Sequence, residues 1–337
     1  MRLAINGYGR IGRCVLRACY ERGLQRQLSI VAINELASAE ALSYLTRYDS
    51  THGKFPFALE CDGEELRVDG DRIVLCAAAD ASSLPWAELG IDLVLECSGQ
   101  QGTESAAGAH LQAGARQVLL SNPGEPPIPA LVYGINHESA DCNAAVLSAA
   151  SCTSNALTPV LAVLDRAFGI HSGVVTTLHA SMHDQPVIDA YHSEDLRRNR
   201  AATQSIIPVD TALAQGVGRI LPALGGKLVA HALRVPINNV SALNITLNLE
   251  AETTVEAINE TLAEAASTQL QGVMGYCEEP LASCDFNHDP RSCIVDARQT
   301  QLIERRTANL LVWFDNEWAF ANRMLDLAQF LNAQADS

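Results

Sequence analysis

The sequence has no run of about 18 uninterrupted apolar residues, so no helix within it is expected to cross a membrane. It has no C-x-x-C pair among its ten cysteines, at 14, 19, 61, 76, 97, 142, 152, 277, 284 and 293. Its nine histidines show no H-E-x-x-H or similar ligand spacing. Neither a metal site nor a disulfide framework is therefore expected, and mostly buried free thiols in a reducing compartment account for the cysteines. Positive charge is scarce as well. With 23 Lys and Arg against 39 Asp and Glu, the formal net charge is −16. That leaves no basic face for a nucleic-acid backbone, although a few focused arginines suffice for a small anion. Internal repeats and low-complexity segments are absent too. A strand pattern already under way at Arg2 leaves no room for a leader, so the expected location is the cytoplasm. The expected partner is a small molecule, with no nucleic acid and no membrane.

What is present is enough chain for two domains with ample cores: 337 residues, 48% of them apolar. Arg2 to Asn6 reads as a short buried strand. Gly7-Tyr8-Gly9-Arg10-Ile11-Gly12 follows at once and leads into a helix carrying Val15, Leu16 and Ala18. A G-x-G-x-x-G turn between strand and helix lets backbone amides approach a pyrophosphate at a helix N-terminus. Gly7, Gly9, Arg10, Ile11 and Gly12 are accordingly cofactor candidates. The second strand, Ser29 to Ile33, ends in Asn34-Glu35. Glu35 stands about where a carboxylate meets the adenosine ribose hydroxyls and repels a 2′-phosphate, so NAD is expected rather than NADP. Two later apolar runs end in Ser98-Gly99 and Ser121. Strand carboxyl ends are where a doubly wound sheet holds its ligand, which adds these three residues.

Cys152 follows small residues and precedes Leu157, Val160, Leu161, Leu164 and Phe168 at helical spacing, with Pro159 expected to kink the helix. A thiol at a helix N-terminus is favoured as thiolate. Val174 to Leu178 is a strand-like run ending in His179, and a helix-then-strand return brings that imidazole back over the helix start. Cys152 and His179 form the candidate nucleophile and activator.

Seven motifs in order carry a resemblance to the glyceraldehyde-3-phosphate dehydrogenase superfamily across essentially the whole chain. They are INGYGRIGR from Ile5, SCTSN from Ser151, TTLHA from Thr176, DLRRNRAA from Asp195, SIIPVDT from Ser205, LRVP from Leu233 and WFDNEW from Trp313. The resemblance implies an α/β fold: an N-terminal Rossmann domain with a doubly wound, mostly parallel sheet, and an α+β catalytic domain with a largely antiparallel sheet. The implied boundaries are 1–151, 152–315 and 316–337, the last segment carrying a helix over Asn322 to Leu331 that returns to the Rossmann domain. It also implies a homotetramer using NAD. Among the site residues, Ser151 and Thr153 would flank the substrate carbonyl, and Arg198 and Arg234 would bind anionic oxygens. Thr211 and the Ala212 amide would complete a phosphate pocket, and Asn316 would fix the nicotinamide carboxamide.

Within the superfamily, the run HDQPVIDAYH from His183 resembles the erythrose-4-phosphate dehydrogenase branch. Met182 stands where the glycolytic pattern has a phosphate-holding threonine, and Asp210 adds negative charge beside the anion site. The branch implies oxidation of a four-carbon aldehyde phosphate, with the thioester released to water and the product feeding pyridoxal phosphate synthesis. Phosphorolysis on a three-carbon substrate and a non-catalytic NAD-binding regulator stay open as alternatives.

Overall fold

Arg2–Asn6 buries its last four residues and forms β1, one of the two middle strands of an eight-stranded sheet. The chain leaves it through Gly7, at φ +83°, a conformation that side-chain-bearing residues avoid. In the computed structural model, which describes residues 1–335, the sequence then runs through α1 (Arg10–Glu21), β2 (Ser29–Asn34), α2 (Ala39–Arg47) and a separate small pair, β3 (Tyr48–Asp49) and β4 (Gly53–Lys54). It continues through β5 (Leu59–Cys61), β6 (Glu65–Val68), β7 (Asp71–Cys76), α3 (Trp86–Leu89), β8 (Leu93–Glu96), α4 (Glu104–Gln112), β9 (Gln117–Leu120) and β10 (Val146–Ser148). The sheet order is β10-β9-β8-β1-β2-β7-β6-β5. The pairs from β10 to β7 are parallel and the last two antiparallel. This is the doubly wound sheet expected. Its central strands read as apolar runs because both faces are covered; one core gathers Ala4, Val31, Val94, Val118, Trp86 and Ile91.

The second unit, Cys152–Ala319, opens with α5 (Cys152–Phe168). It continues with β11 (Ile170–Ala180), β12 (Ile207–Val209), α6 (Leu213–Ile220), β13 (Leu228–Val235), β14 (Ser241–Leu249), α7 (Val255–Ser267), β15 (Met274–Cys277), β16 (Cys293–Ile303) and β17 (Thr307–Phe314). Its seven-stranded sheet runs β12-β13-β11-β14-β17-β16-β15, with four of six pairs antiparallel. α5 continues through Pro159 and packs on this sheet. The strand bearing His179 is longer than its apolar run suggests, so His179 is its penultimate residue rather than a residue beyond its end.

The last helix, α8, spans Trp318–Ala335 and so begins before Asn322. From Phe320 on it belongs with Met1–Ser151. Arg22 Nη2 bonds Asp326 at 2.7 Å, and Phe330 packs edge-on to His137. Residues 316–319 belong instead to the second unit, because Asn316 is bonded by Ser241 and Trp318 stacks on His288. All ten cysteines are free. Three are buried (Cys14, Cys19 and Cys293), while Cys61 and Cys284 are exposed and the others intermediate, so mostly buried thiols is not the arrangement found. Among the described residues no helix is long and apolar enough to cross a membrane.

Candidate active site

In the N-terminal unit the glycine turn is shaped by what a side chain would strike. A Cβ on Gly7 would lie 2.4 Å from the Ser98 amide nitrogen, and one on Gly12 would lie 2.4 Å from the Gly7 carbonyl. A Cβ on Gly9 would meet nothing within 4 Å, so the turn is tight on its inner side and open on its outer one. Gly9 caps α1 without any side-chain bond, and no acid occupies the first turn, where Arg10 and Ile11 lie. An uncapped helix start beneath an open glycine edge suits an anion such as a pyrophosphate.

Glu35, just past β2, accepts the Tyr8 amide at 2.8 Å and so ties the second strand end to the turn. The Arg10 guanidinium is ion-paired to Asp49. Burial pushes that carboxyl up, but bonds from Arg10 and from the His52 and Thr51 amides outweigh it and hold Asp49 well below the usual carboxylate range. Ser98 and Gly99 follow β8, Gly99 at φ +74° with open space around it, and the Ser121 amide beyond β9 donates to the Glu96 carbonyl.

Beneath these strand ends lies a polar network without a sequence signature. Glu96 is fully buried. It accepts from Asn6 Nδ2 at 2.5 Å, from the Ser98 amide at 2.7 Å and hydroxyl at 2.5 Å, and meets His110 Nε2 at 2.9 Å. Trp86 Nε1 donates to His110 Nδ1 at 3.0 Å, which places the imidazole proton on Nε2, facing Glu96. Asn6 in turn accepts from Asn34 at 2.7 Å. This chain crosses β8, β1 and β2 and fixes Ser98 against Gly7. Glu96→Ala strands several buried donors at once, so a stability loss of about 3 kcal/mol or more is expected in chemical denaturation; a loss below about 1 kcal/mol would show the network to be incidental.

In the second unit, Cys152 is the first residue of α5 and His179 the penultimate residue of β11. Their Sγ and Nε2 stand 3.7 Å apart. Thr153 Oγ1 is 3.8 Å from the sulfur. β11 and β13 run parallel with His179 opposite Arg234, and Arg234 Nη1 reaches His179 Nδ1 at 2.6 Å. Nδ1 also lies 2.8 Å from the Ala180 carbonyl. The guanidinium can only donate and the carbonyl can only accept, so Nδ1 serves one of them at a time; protonated and bonded to the Ala180 carbonyl, it leaves the Nε2 lone pair facing sulfur.

Electrostatics correct one expectation. Burial pushes the Cys152 thiol up, and the Thr153 hydroxyl, the Arg234 charge and local amides only partly oppose it. Burial and the Arg234 cation lower His179 to about 4, against the Ala180 carbonyl, Asp184 and Glu317. Both shifts run toward thiol and neutral imidazole and away from a standing thiolate, with burial as the largest cause in each. The imidazole is poised to take the proton as the sulfur attacks.

The arginines are joined by a residue that the sequence reading assigned no role. Asp184 Oδ2 lies 3.3 Å from Arg198 Nη1 and 3.8 Å from Arg234 Nη2. Cys152, Thr153, His179, Arg234, Asp184 and Arg198 thus form one continuous set of contacts. Thr211 and Ala212 lie on another loop, where Ala212 caps α6 and Thr211 Oγ1 accepts the Leu213 amide at 3.2 Å. α6 comes close to α5 at Gly216, where a Cβ would stand 3.5 Å from Ser154 Oγ. Ser151 directly precedes α5. Asn316 is nearly buried and is bonded through Oδ1 to Ser241.

Residues 1–104 match the family described as glyceraldehyde 3-phosphate dehydrogenase, NAD binding domain, and residues 151–316 match its C-terminal domain. The chain belongs to the glyceraldehyde 3-phosphate dehydrogenase superfamily: it is an NAD-dependent oxidoreductase acting on an aldehyde. Seven motifs had pointed to that family from sequence. Asp184, Ser241, Glu96 and His110 were not singled out, since their partners lie across folded strands rather than at any motif spacing.

Proposed function

We propose that the chain oxidises D-erythrose 4-phosphate to 4-phospho-D-erythronate, with Cys152 as nucleophile and water as the final acceptor of the acyl group. The observation that carries the chemistry is the 3.7 Å approach of Cys152 Sγ to His179 Nε2 at the head of α5, backed by Arg234. The sulfur adds to the aldehyde carbon while His179 takes the thiol proton, and α5 amides together with Ser151 and Thr153 face the developing oxyanion. When bound, NAD accepts the hydride that leaves the resulting thiohemiacetal. Gly7, Gly9, Arg10, Ile11, Gly12, Glu35, Ser98, Gly99 and Ser121 would hold the dinucleotide, and Asn316 its carboxamide. His179 releases the thiol proton to solvent and then draws one from water, whose oxygen attacks the thioester carbon; the C–S bond breaks, the sulfur takes the proton back from His179, and the carboxylic acid leaves and ionises.

Arg198, Arg234, Thr211 and Ala212 are assigned to the substrate phosphate, for which the guanidinium fork is suited. Two carboxylates favour water over inorganic phosphate in the second half-reaction. Asp184 already lies on both arginines, and Asp210 adds charge beside Thr211. The proposed setting is the cytoplasm, in the supply of pyridoxal phosphate. A homotetramer is supported by apolar side chains left exposed on one segment, Val187, Ile188, Tyr191, Leu196 and Ile206, which a second copy would cover.

The test is to assay erythrose 4-phosphate and glyceraldehyde 3-phosphate, each with and without inorganic phosphate. Preference for the four-carbon substrate and turnover without phosphate are expected. Strict phosphate dependence with preference for three carbons would make this the phosphorylating enzyme instead.

A further inference from the structure

Ser241, the first residue of β14, is fully buried. Its Oγ accepts the Ala180 backbone N–H at 3.0 Å and stands 2.8 Å from Asn316 Oδ1. A backbone N–H can only donate and an amide oxygen can only accept, so these bonds have one direction: Ala180 N–H to Ser241 oxygen, Ser241 O–H to Asn316 Oδ1. That arrangement commits the oxygen of the Asn316 amide and leaves Nδ2 as a donor, with no acceptor among the described residues. Both ends of the chain of bonds are fixed. Ala180 adjoins His179 in β11, which pairs with β14 through Leu178 and Ala242. Asp315, wholly buried, accepts from Asn239 Nδ2 and the His288 amide at 2.8 Å each, and from the Glu317 and Trp318 amides at 3.0 and 2.8 Å.

We propose that Ser241 is a positioning residue for the cofactor: it pins the Asn316 amide so that Nδ2 donates to the carbonyl oxygen of the nicotinamide carboxamide, and it couples that pose to the strand carrying His179. The inference rests on the assignment of Asn316 to the nicotinamide. Alanine at 241 offers neither an acceptor to Ala180 nor a donor to Asn316, and the amide is then free to turn. The ring carboxamide would meet an oxygen as often as a nitrogen.

The measurement is equilibrium binding of NAD and of ADP-ribose, which has the adenosine and both phosphates but no nicotinamide, to the full-length chain. Ser241→Ala is expected to weaken NAD by about 10-fold, the scale of one lost hydrogen bond, and to leave ADP-ribose within about 2-fold. Asn316→Asp keeps the acceptor for Ser241 but replaces the outward donor with an oxygen. It is expected to weaken NAD by at least about 10-fold and to spare ADP-ribose, and adding Ser241→Ala to it should produce little further loss. If Asn316→Asp weakens NAD and Ser241→Ala does not, the role of Ser241 is overturned while the assignment of Asn316 stands. If Asn316→Asp binds NAD normally, that assignment fails and the inference with it. Equal loss of NAD and ADP-ribose in Ser241→Ala would show a general structural part and overturn the proposal.

Discussion

Replacing Cys152 with serine is expected to reduce turnover by at least about 10⁴-fold while leaving the fold and NAD affinity in place, because the reaction passes through a covalent sulfur adduct. Serine keeps the size of the side chain and a donor toward His179. It fails because an alcohol ionises far less readily than a thiol, and because the burial that already raises the Cys152 thiol penalises an alkoxide more. Of the other cysteines, Cys19 and Cys293 are buried and Cys61 and Cys284 are exposed, whereas Cys152 stands at the head of α5 beside His179. Steady-state rates with a parallel NAD titration check this. Residual turnover within about 100-fold of the parent would mean that the sulfur is not the nucleophile.

Replacing His179 with asparagine is the second large effect. Loss of a positioned general base lowers kcat by about 10² to 10⁴-fold, and NAD binding should not change. Asparagine retains hydrogen-bonding capacity beside Arg234 but cannot accept the thiol proton. The same substitution has a signature in stability. In the unfolded chain the imidazole protonates near 6.5, whereas in the folded chain burial and Arg234 hold it neutral down to about 4. Between those values the unfolded state binds the extra proton, so folding stability falls as pH drops from about 6.5 to about 4, by up to about 3 kcal/mol. His179→Asn removes that contribution. Denaturation at pH 7 and pH 5 on both proteins measures it, and an unchanged pH slope in the variant would mean that His179 is not the titrating group.

Much of this was legible before the fold was known, for reasons that differ by residue. The glycine turn is read from spacing because its backbone is needed for a local purpose: Gly7 and Gly12 cannot carry a Cβ where they stand. Cys152 is read from its place at a helix start, and the helix from the apolar period behind it. His179 is read less well. Its apolar run points to a strand but not to its end, since β11 stays paired with β13 through Ala180 after its pairing with β14 has ended at Leu178. The charge state of the pair was not legible at all, because it depends on burial and on Arg234, 55 positions away and adjacent only through the β11 and β13 register. Asp184, Ser241 and Glu96 escaped for a similar reason. Each acts through partners brought close by the sheets, and a serine opening a strand or an acid ending one looks ordinary in a linear chain.

The central claim is that an acyl group is carried on one sulfur. The most direct measurement is acid quenching within the first turnovers of the enzyme with NAD and erythrose 4-phosphate, followed by mass spectrometry of the peptides. A phosphoerythronyl thioester on the Cys152 peptide, absent when NAD is omitted, is the result expected. Full turnover with no adduct on that peptide, or with the adduct on another cysteine, would contradict it.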